Sequence, residues 1–354
     1  VRLKGLESIR EGDVLAKPVY DDKCQLLLAK DAVLTESYIH RLSQANVQCV
    51  YIEDELSQGL EFENVIPDTL KIKSINTIKQ AFKTLSERKS ATYTVGNIDA
   101  IKDVIESLMS AIYANKDTLF CMTELMGTDM YTYNHSAEVA ILSMMVAKSM
   151  GFNNLFIEKI GMGALLHDIG KMKIDSSIVH KNSELTEDEY EEMKKHPQLG
   201  YDLMKEIYNI SPISRQIILL HHEKLNGVGY PLGLEESDIP VHVRVVTICD
   251  IFNAITSSRS YKKKMNADEA LEVLRVESVY ELDREIYHHL MKVANIYPAG
   301  TLVELSNGQL AIVVKENKEA QTRPVVQIVK SGKRAEVLDL MEHLTLFVSR
   351  TVDF

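Results

Sequence analysis

His167 and Asp168 stand side by side at the end of an apolar stretch, and four more histidines, His135, His196, His221 and His222, fall in the same helix-rich middle of the chain. A second acid, Asp250, lies inside the apolar run Val243 to Ile255. An ionised carboxylate buried there would cost several kcal/mol unless it were paired or bound to a cation. Imidazole nitrogens and carboxylate oxygens without thiolate suit Fe, Mn or Zn, and a shared aspartate can bridge two such ions. Two ions about 3.5–4 Å apart would activate a water and clamp a phosphoryl group during in-line displacement. Taken singly, each histidine reads as an ordinary polar or capping residue. Taken together, beside a buried acid and a loop carrying Gly227, Gly229, Pro231 and Gly233, they read as a metal site.

The elements that must present these residues are legible in the pattern. An apolar helix from Phe156 to Leu166 is expected to close on His167-Asp168, with Gly170 as the C′ residue that stops it. Thr186 and Glu189 make a capping box for an acidic helix, and Pro197 suits the first position of the next one, so His196 lies at the corner between them. His221-His222 ends the apolar helix Ile213 to Leu220. Adjacent helical residues point about 100° apart, so either the helix ends at this pair or only one of the two binds an ion.

Around this middle the pattern changes. Residues 1 to about 55 mix β-rich runs (Val14 to Val19, Gln25 to Leu28, Gln48 to Ile52) with a helix that Thr35 could cap. Pro67 opens a helical pattern through Leu70, Ile75, Ile78, Phe82 and Leu85, and a second helix follows with Asp99 as its expected cap. Beyond Pro298 the alternation has period two, with hairpin signals at Asn307-Gly308 and Ser331-Gly332. The expected domains are a small α+β unit over 1–56, a linker with connecting helices over 57–124, a helical catalytic domain over 125–296, and a small antiparallel β-module over 297–354.

The chain has 354 residues, 45% hydrophobic and 26% charged, which places it among globular proteins of about two domains. Its net charge of −11 argues against coating a long nucleic acid or an anionic membrane through bulk charge. Cys24, Cys49, Cys121 and Cys249 form no close pair, no apolar run approaches roughly twenty residues, and the N-terminus has no signal-peptide core, so a cytoplasmic location is expected. Lys194-Lys195 and Lys262-Lys263-Lys264 read as solvated faces or as local landing points for an anion. Met144, Met145, Met150 and Met162 read as core.

The run His167-Asp168-Ile169-Gly170-Lys171, the run from His221 through Asn226-Gly227-Val228-Gly229-Tyr230-Pro231, and Asp250 with Ser258-Arg259-Ser260-Tyr261-Lys262 together resemble the HD-GYP family of cyclic-di-GMP phosphodiesterases. The resemblance covers roughly residues 125 to 295, and the unit ahead of it looks like the domain commonly fused to such modules. It implies a mainly α fold, an HD-type helical bundle, between the small α+β N-terminal domain and the small antiparallel β C-terminal module. It also implies a phosphodiesterase that hydrolyses cyclic-di-GMP to linear pGpG and onward to GMP, with a metal-bound hydroxide as nucleophile. The implied cofactors are two divalent transition metals, Fe or Mn first and Zn next. Carried over position by position, the metal ligands are His135, His167, Asp168, His196, His221, His222 and Asp250, with Asp168 bridging. Lys171 is implied to contact the scissile phosphate beside the catalytic Asp168, with Tyr230 and Gly229 in the substrate loop and Arg259 and Lys262 on the dinucleotide's phosphates.

The sequence also departs from that family. Some members carry a Glu four residues before the first ligand histidine and hold a third metal; Tyr131 stands there, so two metals are expected. Asp129 reads as a helix N-terminal acid or as a partner for a ligating histidine. Asn226 replaces the family's usual Asp, and it is the one feature that favours a non-cleaving receptor for the dinucleotide. A hybrid cyclic GMP-AMP is the alternative substrate, because base specificity rests on a few loop contacts. A signalling-protein partner at the GYP loop and a homodimer are open at this stage. Arg259 lies nine residues, about 900° of helix, beyond Asp250, so the helix must end or bend near Ser257-Ser258 for both to face one cleft.

Overall fold

The computed structural model describes residues 1–21, 25–45, 47, 49–60, 64–87, 91–115, 118–120, 131–181, 183–257 and 265–352. The N-terminal unit pairs β1 (Arg2–Gly5), β5 (Cys49–Glu53) and β2 (Val14–Leu15) in the antiparallel order β1-β5-β2, beside a small hairpin of β3 (Val19–Tyr20) and β4 (Leu26–Leu28). The apolar run Val14 to Val19 thus divides between two sheets, interrupted ahead of Val19 by Pro18, which has no N–H to give a ladder. Helix α1 (Glu36–Gln44) starts at Thr35, whose hydroxyl accepts from the Tyr38 N–H at 3.3 Å. Leu15, Leu34, Leu42 and Ile52 form this unit's own core.

Pro67 precedes α2 (Asp68–Ser86), and α3 (Ala91–Ala114) packs against it. Asp99 lies inside α3 rather than at its start, because the helix begins eight residues earlier, at Ala91. Ile75, Ile78 and Phe82 of α2 and Ile101, Ile105 and Leu108 of α3 join the same apolar core as the bundle that follows. At the N-terminal end of α2, Lys17 of the N-terminal unit reaches Asp68 at 3.3 Å.

The bundle comprises α4 (Tyr131–Ser149), α5 (Asn154–Leu166), α6 (Ser176–Val179), α7 (Glu187–Met193), α8 (His196–Met204), α9 (Pro212–Leu220), α10 (Val241–Thr256), α11 (Ala267–Glu277) and α12 (Arg284–Val293). Helix α4 lies at its centre, against α5, α10 and α12, and α5 packs in turn on α9. Met144, Met145 and Met162 are buried there, and Met150 packs on the same core from a half-buried position. Lys194 and Lys195 pair with Glu191 and Glu192, so this basic pair is neutralised on its own face.

After the bundle comes an antiparallel sheet of β6 (Leu302–Leu305), β7 (Leu310–Lys315), β8 (Val325–Lys330), β9 (Lys333–Asp339) and β10 (Val348–Thr351), in the order β10-β6-β7-β8-β9. Both hairpin signals fall between paired strands, and Ser331-Gly332 has both φ angles positive, at 51° and 74°. The Arg334 guanidinium donates to the Leu56 and Gln58 carbonyls at 2.6 and 2.8 Å, tying the sheet to the segment after β5. Among the described residues no helix is long and apolar enough to cross a membrane.

Gly170 does not end α5 as a left-handed C′ residue. It lies in a 3-10 turn, Ile169–Lys173, and its φ is not positive. It is glycine because α8 crosses directly over it: a Cβ there would stand 1.9 Å from the His196 carbonyl oxygen and 2.5 Å from the Gly200 nitrogen. All of the nearest atoms are α8 backbone, which cannot swing aside as a side chain would. Gly170→Ala is therefore expected to cost about 1–3 kcal/mol or more and to push His196 away from His167, read as a lower urea midpoint together with weaker metal retention; an unchanged midpoint would contradict this packing.

Candidate metal centre

Five elements deliver the seven predicted ligands to one place. His135 comes from the first turns of α4, His167 and Asp168 from the end of α5, and His196 from the first turn of α8. His221 and His222 follow the last turn of α9, and Asp250 comes from α10. Pro197 occupies the second rather than the first position of α8, because His196 is already helical with Lys195 as the cap. Helix α9 stops at Leu220, so the ring centroids of His221 and His222 approach to 4.2 Å instead of diverging. The helix end lets the two neighbouring imidazoles face one cluster.

Asp168 is 1% exposed and sits at the centre. Its Oδ2 is 3.5 Å from His167 Nε2 and 3.8 Å from His135 Nε2, while its Oδ1 is 3.4 Å from His196 Nε2. Asp250 Oδ1 lies 3.0 Å from His135 Nε2 and 3.9 Å from His167 Nε2; its Oδ2 is 3.9 Å from His222 Nδ1. Lys171 reaches in from the half-open side and donates to Asp168 Oδ2 at 2.6 Å.

The outer nitrogens decide what the inner ones can do. His167 Nδ1 is 2.7 Å from the Ala164 carbonyl, His196 Nδ1 is 2.8 Å from that of Met193, and His221 Nδ1 is 3.0 Å from that of Ile218. A carbonyl only accepts, so each Nδ1 carries the proton and a neutral ring presents a bare Nε2 inward. His196 and His221 then face each other with Nε2 atoms 3.1 Å apart. Two lone pairs at that distance repel, and a proton between them is disfavoured: burial pushes His196 down to about 3 and lowers His221 well below its ordinary value. A spacing of about 3 Å is what two nitrogens on one ion at about 2.1 Å adopt. His167 Nε2 and Asp168 Oδ1 are likewise buried without a hydrogen-bond partner. The donor set fits metal: three groups, His135/His167/Asp250, His167/Asp168/His221 and His196/His221/His222, each bring their ligand atoms within 4.8 Å of one another.

The carboxyls are held ionised. Burial alone would raise Asp168, but Lys171 first and then the surrounding imidazoles outweigh it and hold the group well below the usual range. At Asp250 burial is outweighed in the same way, chiefly by His135. Burial also lowers His167, and pushes His222 down to about 4.

The GYP loop leans on the same cluster. The buried Glu223 carboxylate accepts from the Leu232 and Leu234 N–H groups at 2.7 and 2.9 Å, and the Tyr230 N–H donates to the His222 carbonyl at 3.2 Å. At Gly229 a Cβ would stand 2.4 Å from the Lys224 nitrogen, so only glycine allows the loop to close on itself. Tyr230 stacks on His222, with ring centroids 4.6 Å apart and planes 25° apart, which makes it a brace for that imidazole. Asn226 Oδ1 accepts from the Val228 N–H at 3.3 Å, a turn contact within the loop.

Arg259, Lys262 and Asp129 lie outside the described residues, as do Lys263 and Lys264; Tyr131 is the first residue of α4. Helix α10 ends at Thr256, with extended Ser257 after it. Among the buried polar residues to which the sequence assigns no role are Glu138, Asn253 and Glu223. Glu138 follows His135 by three residues and Asn253 follows Asp250 by three, each in an apolar helix, so helical spacing from a ligand was the available signal.

A helical bundle that gathers imidazoles and carboxylates from helix ends around one aspartate defines the HD class of metal-dependent proteins. Residues 115–286 match the HD domain, and residues 302–354 match a KOW domain associated with HD domain. It is 32% identical over 231 residues to cyclic di-GMP phosphodiesterase PA4108 of Pseudomonas aeruginosa, covering 65% of this chain and 56% of that one. It is 31% identical over 170 residues to 3'3'-cGAMP-specific phosphodiesterase 3 of Vibrio cholerae, covering 48% of this chain and 36% of that one. The chain thus spans about half the length of these curated relatives or less. In fold it is similar to Bd1817, a HDG"Y"P protein from Bdellovibrio bacteriovorus, with a TM-score of 0.54 at 18% identity over 81% of this chain and 95% of that one.

The depressed histidines set a pH dependence. An unfolded histidine takes up its proton near 6.5, whereas His196 and His222 in the folded protein do so only near 3 and 4. Between those limits the unfolded chain binds more protons, so the metal-free protein is expected to lose stability as pH falls below about 6.5. Urea midpoints at pH 7.5 and pH 5 check this; an equal or higher midpoint at pH 5 would contradict it.

Proposed function

We propose that this protein is a metal-dependent phosphodiesterase that hydrolyses cyclic-di-GMP to linear pGpG. The observation that carries the reading is the placement of Asp168 between two groups of inward-facing imidazoles, with Lys171 on its open side. His135, His167 and Asp250 would hold one ion, and His196, His221 and His222 a second, with Asp168 shared by both. A ligand set of imidazole and carboxylate without thiolate suits Fe, Mn or Zn. When bound, such ions make a water nucleophilic near neutral pH and stabilise charge on phosphoryl oxygens.

The protein's own part is positional and electrostatic. The main-chain carbonyls of Ala164, Met193 and Ile218 lock three imidazoles with Nε2 inward, so the ligands need no rearrangement. Lys171 keeps Asp168 ionised and stands where its ammonium can contact a phosphate oxygen as negative charge develops there. Arg259 and Lys262 are proposed to bind the dinucleotide's phosphates, and Tyr230, stacked on His222, borders the same opening with Gly229 behind it. The −11 background disfavours long polyanions and leaves a small dianion acceptable at a site with local positive charge.

The likeness to the cGAMP-specific relative from Vibrio cholerae supports a second reading with the same chemistry and a hybrid cyclic GMP-AMP substrate. Side-by-side hydrolysis of the two dinucleotides by Mn- or Fe-loaded protein separates them. Asp168→Asn is expected to lower turnover by roughly a thousandfold or more, since several kcal/mol of transition-state stabilisation depends on the shared carboxylate. Lys171→Met is expected to lower kcat about 100- to 1000-fold while metal stays bound. Dinucleotide binding without product in fully metal-loaded protein would contradict the enzyme and leave a receptor.

A further inference from the structure

We propose that Lys71, Glu138 and Asn253 are positioning residues for the metal centre: a buried relay from α2, ahead of the matched HD domain, that fixes His135 as a ligand. The proposal rests on the metal-site reading above. His135 differs from His167, His196 and His221, whose Nδ1 atoms are held by carbonyls of their own local backbone. Its Nδ1 faces a side chain instead, Asn253 Oδ1, at 2.6 Å. Asn253 Nδ2 donates to Glu138 Oε2 at 2.8 Å, and Glu138 Oε1 accepts from the Lys71 ammonium. Every side chain in this line is buried, with Asn253 at 0%, Glu138 at 1% and Lys71 at 4% exposure.

The order of groups gives the relay a direction. An amide has one donating and one accepting end, and a turned amide would present N–H₂ to His135. That would force the imidazole proton onto Nε2, the nitrogen that faces Asp168 and Asp250. A carboxylate only accepts, so Glu138 draws the Nδ2 end of Asn253 to itself and leaves Oδ1 for His135. The Lys71 ammonium donates to the other Glu138 oxygen, so the two buried groups form a pair in the bundle interior. Lys71 therefore acts through two other side chains and touches neither metal nor substrate. It lies at position 71, while the HD match begins at residue 115, so one support of the first metal comes from the helix that joins the N-terminal unit to the bundle.

The alternative is that the Lys71–Glu138 pair serves packing alone, and metal affinity separates the two. Cobalt(II) is titrated into metal-free protein against a competing chelator, and the visible ligand-field bands are recorded. Urea midpoints without metal identify which variants are folded. Lys71→Met/Glu138→Leu replaces the pair by apolar side chains, a change that buried ion pairs commonly tolerate. It is expected to keep a cooperative midpoint yet bind cobalt about 10- to 100-fold more weakly, with altered bands. Lys71→Met is the second variant and is expected to weaken binding in the same range. Adding Lys71→Met to Asn253→Ala should cause no further loss, because the last link is already absent. Affinity within about twofold of the parent in folded Lys71→Met/Glu138→Leu, or losses that multiply in the Asn253→Ala combination, would overturn the relay. A parent protein that binds no cobalt would overturn the metal-site reading itself.

Discussion

Asp168 is a carboxylate with almost no solvent, facing imidazole nitrogens that carry lone pairs rather than protons. That arrangement has no internal remedy. The outer nitrogens are committed to carbonyls, burial opposes protonation of the inner ones, and one ammonium, that of Lys171, reaches Asp168 from the side. Among the described residues nothing else satisfies His167 Nε2, Asp168 Oδ1 and the facing pair His196 and His221 together, and cations within the cluster would do so. The bundle can be understood as the scaffold that makes this unfavourable collection of acceptors rigid.

Rigidity comes from helix ends. A residue at the last turn of a helix lies beside carbonyls that no further turn will use, and an imidazole there can donate its Nδ1–H to one of them. His167 and His221 do this at the C-termini of α5 and α9, and His196 does it against the end of α7. The crossing of α8 over Gly170 brings two of these ends together, and the buried Glu223 carboxylate pins the loop that carries Tyr230 against His222. His135 is interior to α4, whose carbonyls are already engaged, so its support has to come from the side chains of other helices.

The convergence of His135, His167, Asp168, His196, His221, His222 and Asp250 was legible because each is a polar residue where the apolar pattern predicts core or a helix end. The cap at Thr35, the box at Thr186 and Glu189, and both hairpins were legible for the same local reasons. What failed to show was tertiary. Gly170 has the sequence context of a helix stop, yet its reason for being glycine is a backbone from about thirty residues away. Asp99 resembled a cap because nothing local marks the extra turns that tertiary packing adds to α3. Glu138 and Asn253 looked like isolated polar residues in apolar helices, and Lys71 like one of many surface lysines; only their convergence gives them a role.

The reading of this cluster as a two-metal centre organised by Asp168 can be checked on metal-loaded protein. A crystal structure of manganese-loaded protein with anomalous scattering tests it most directly. Two peaks flanking Asp168 are expected, one against His135, His167 and Asp250 and one against His196, His221 and His222. A single peak, no peak, or ions bound away from Asp168 in folded, fully loaded protein would contradict it.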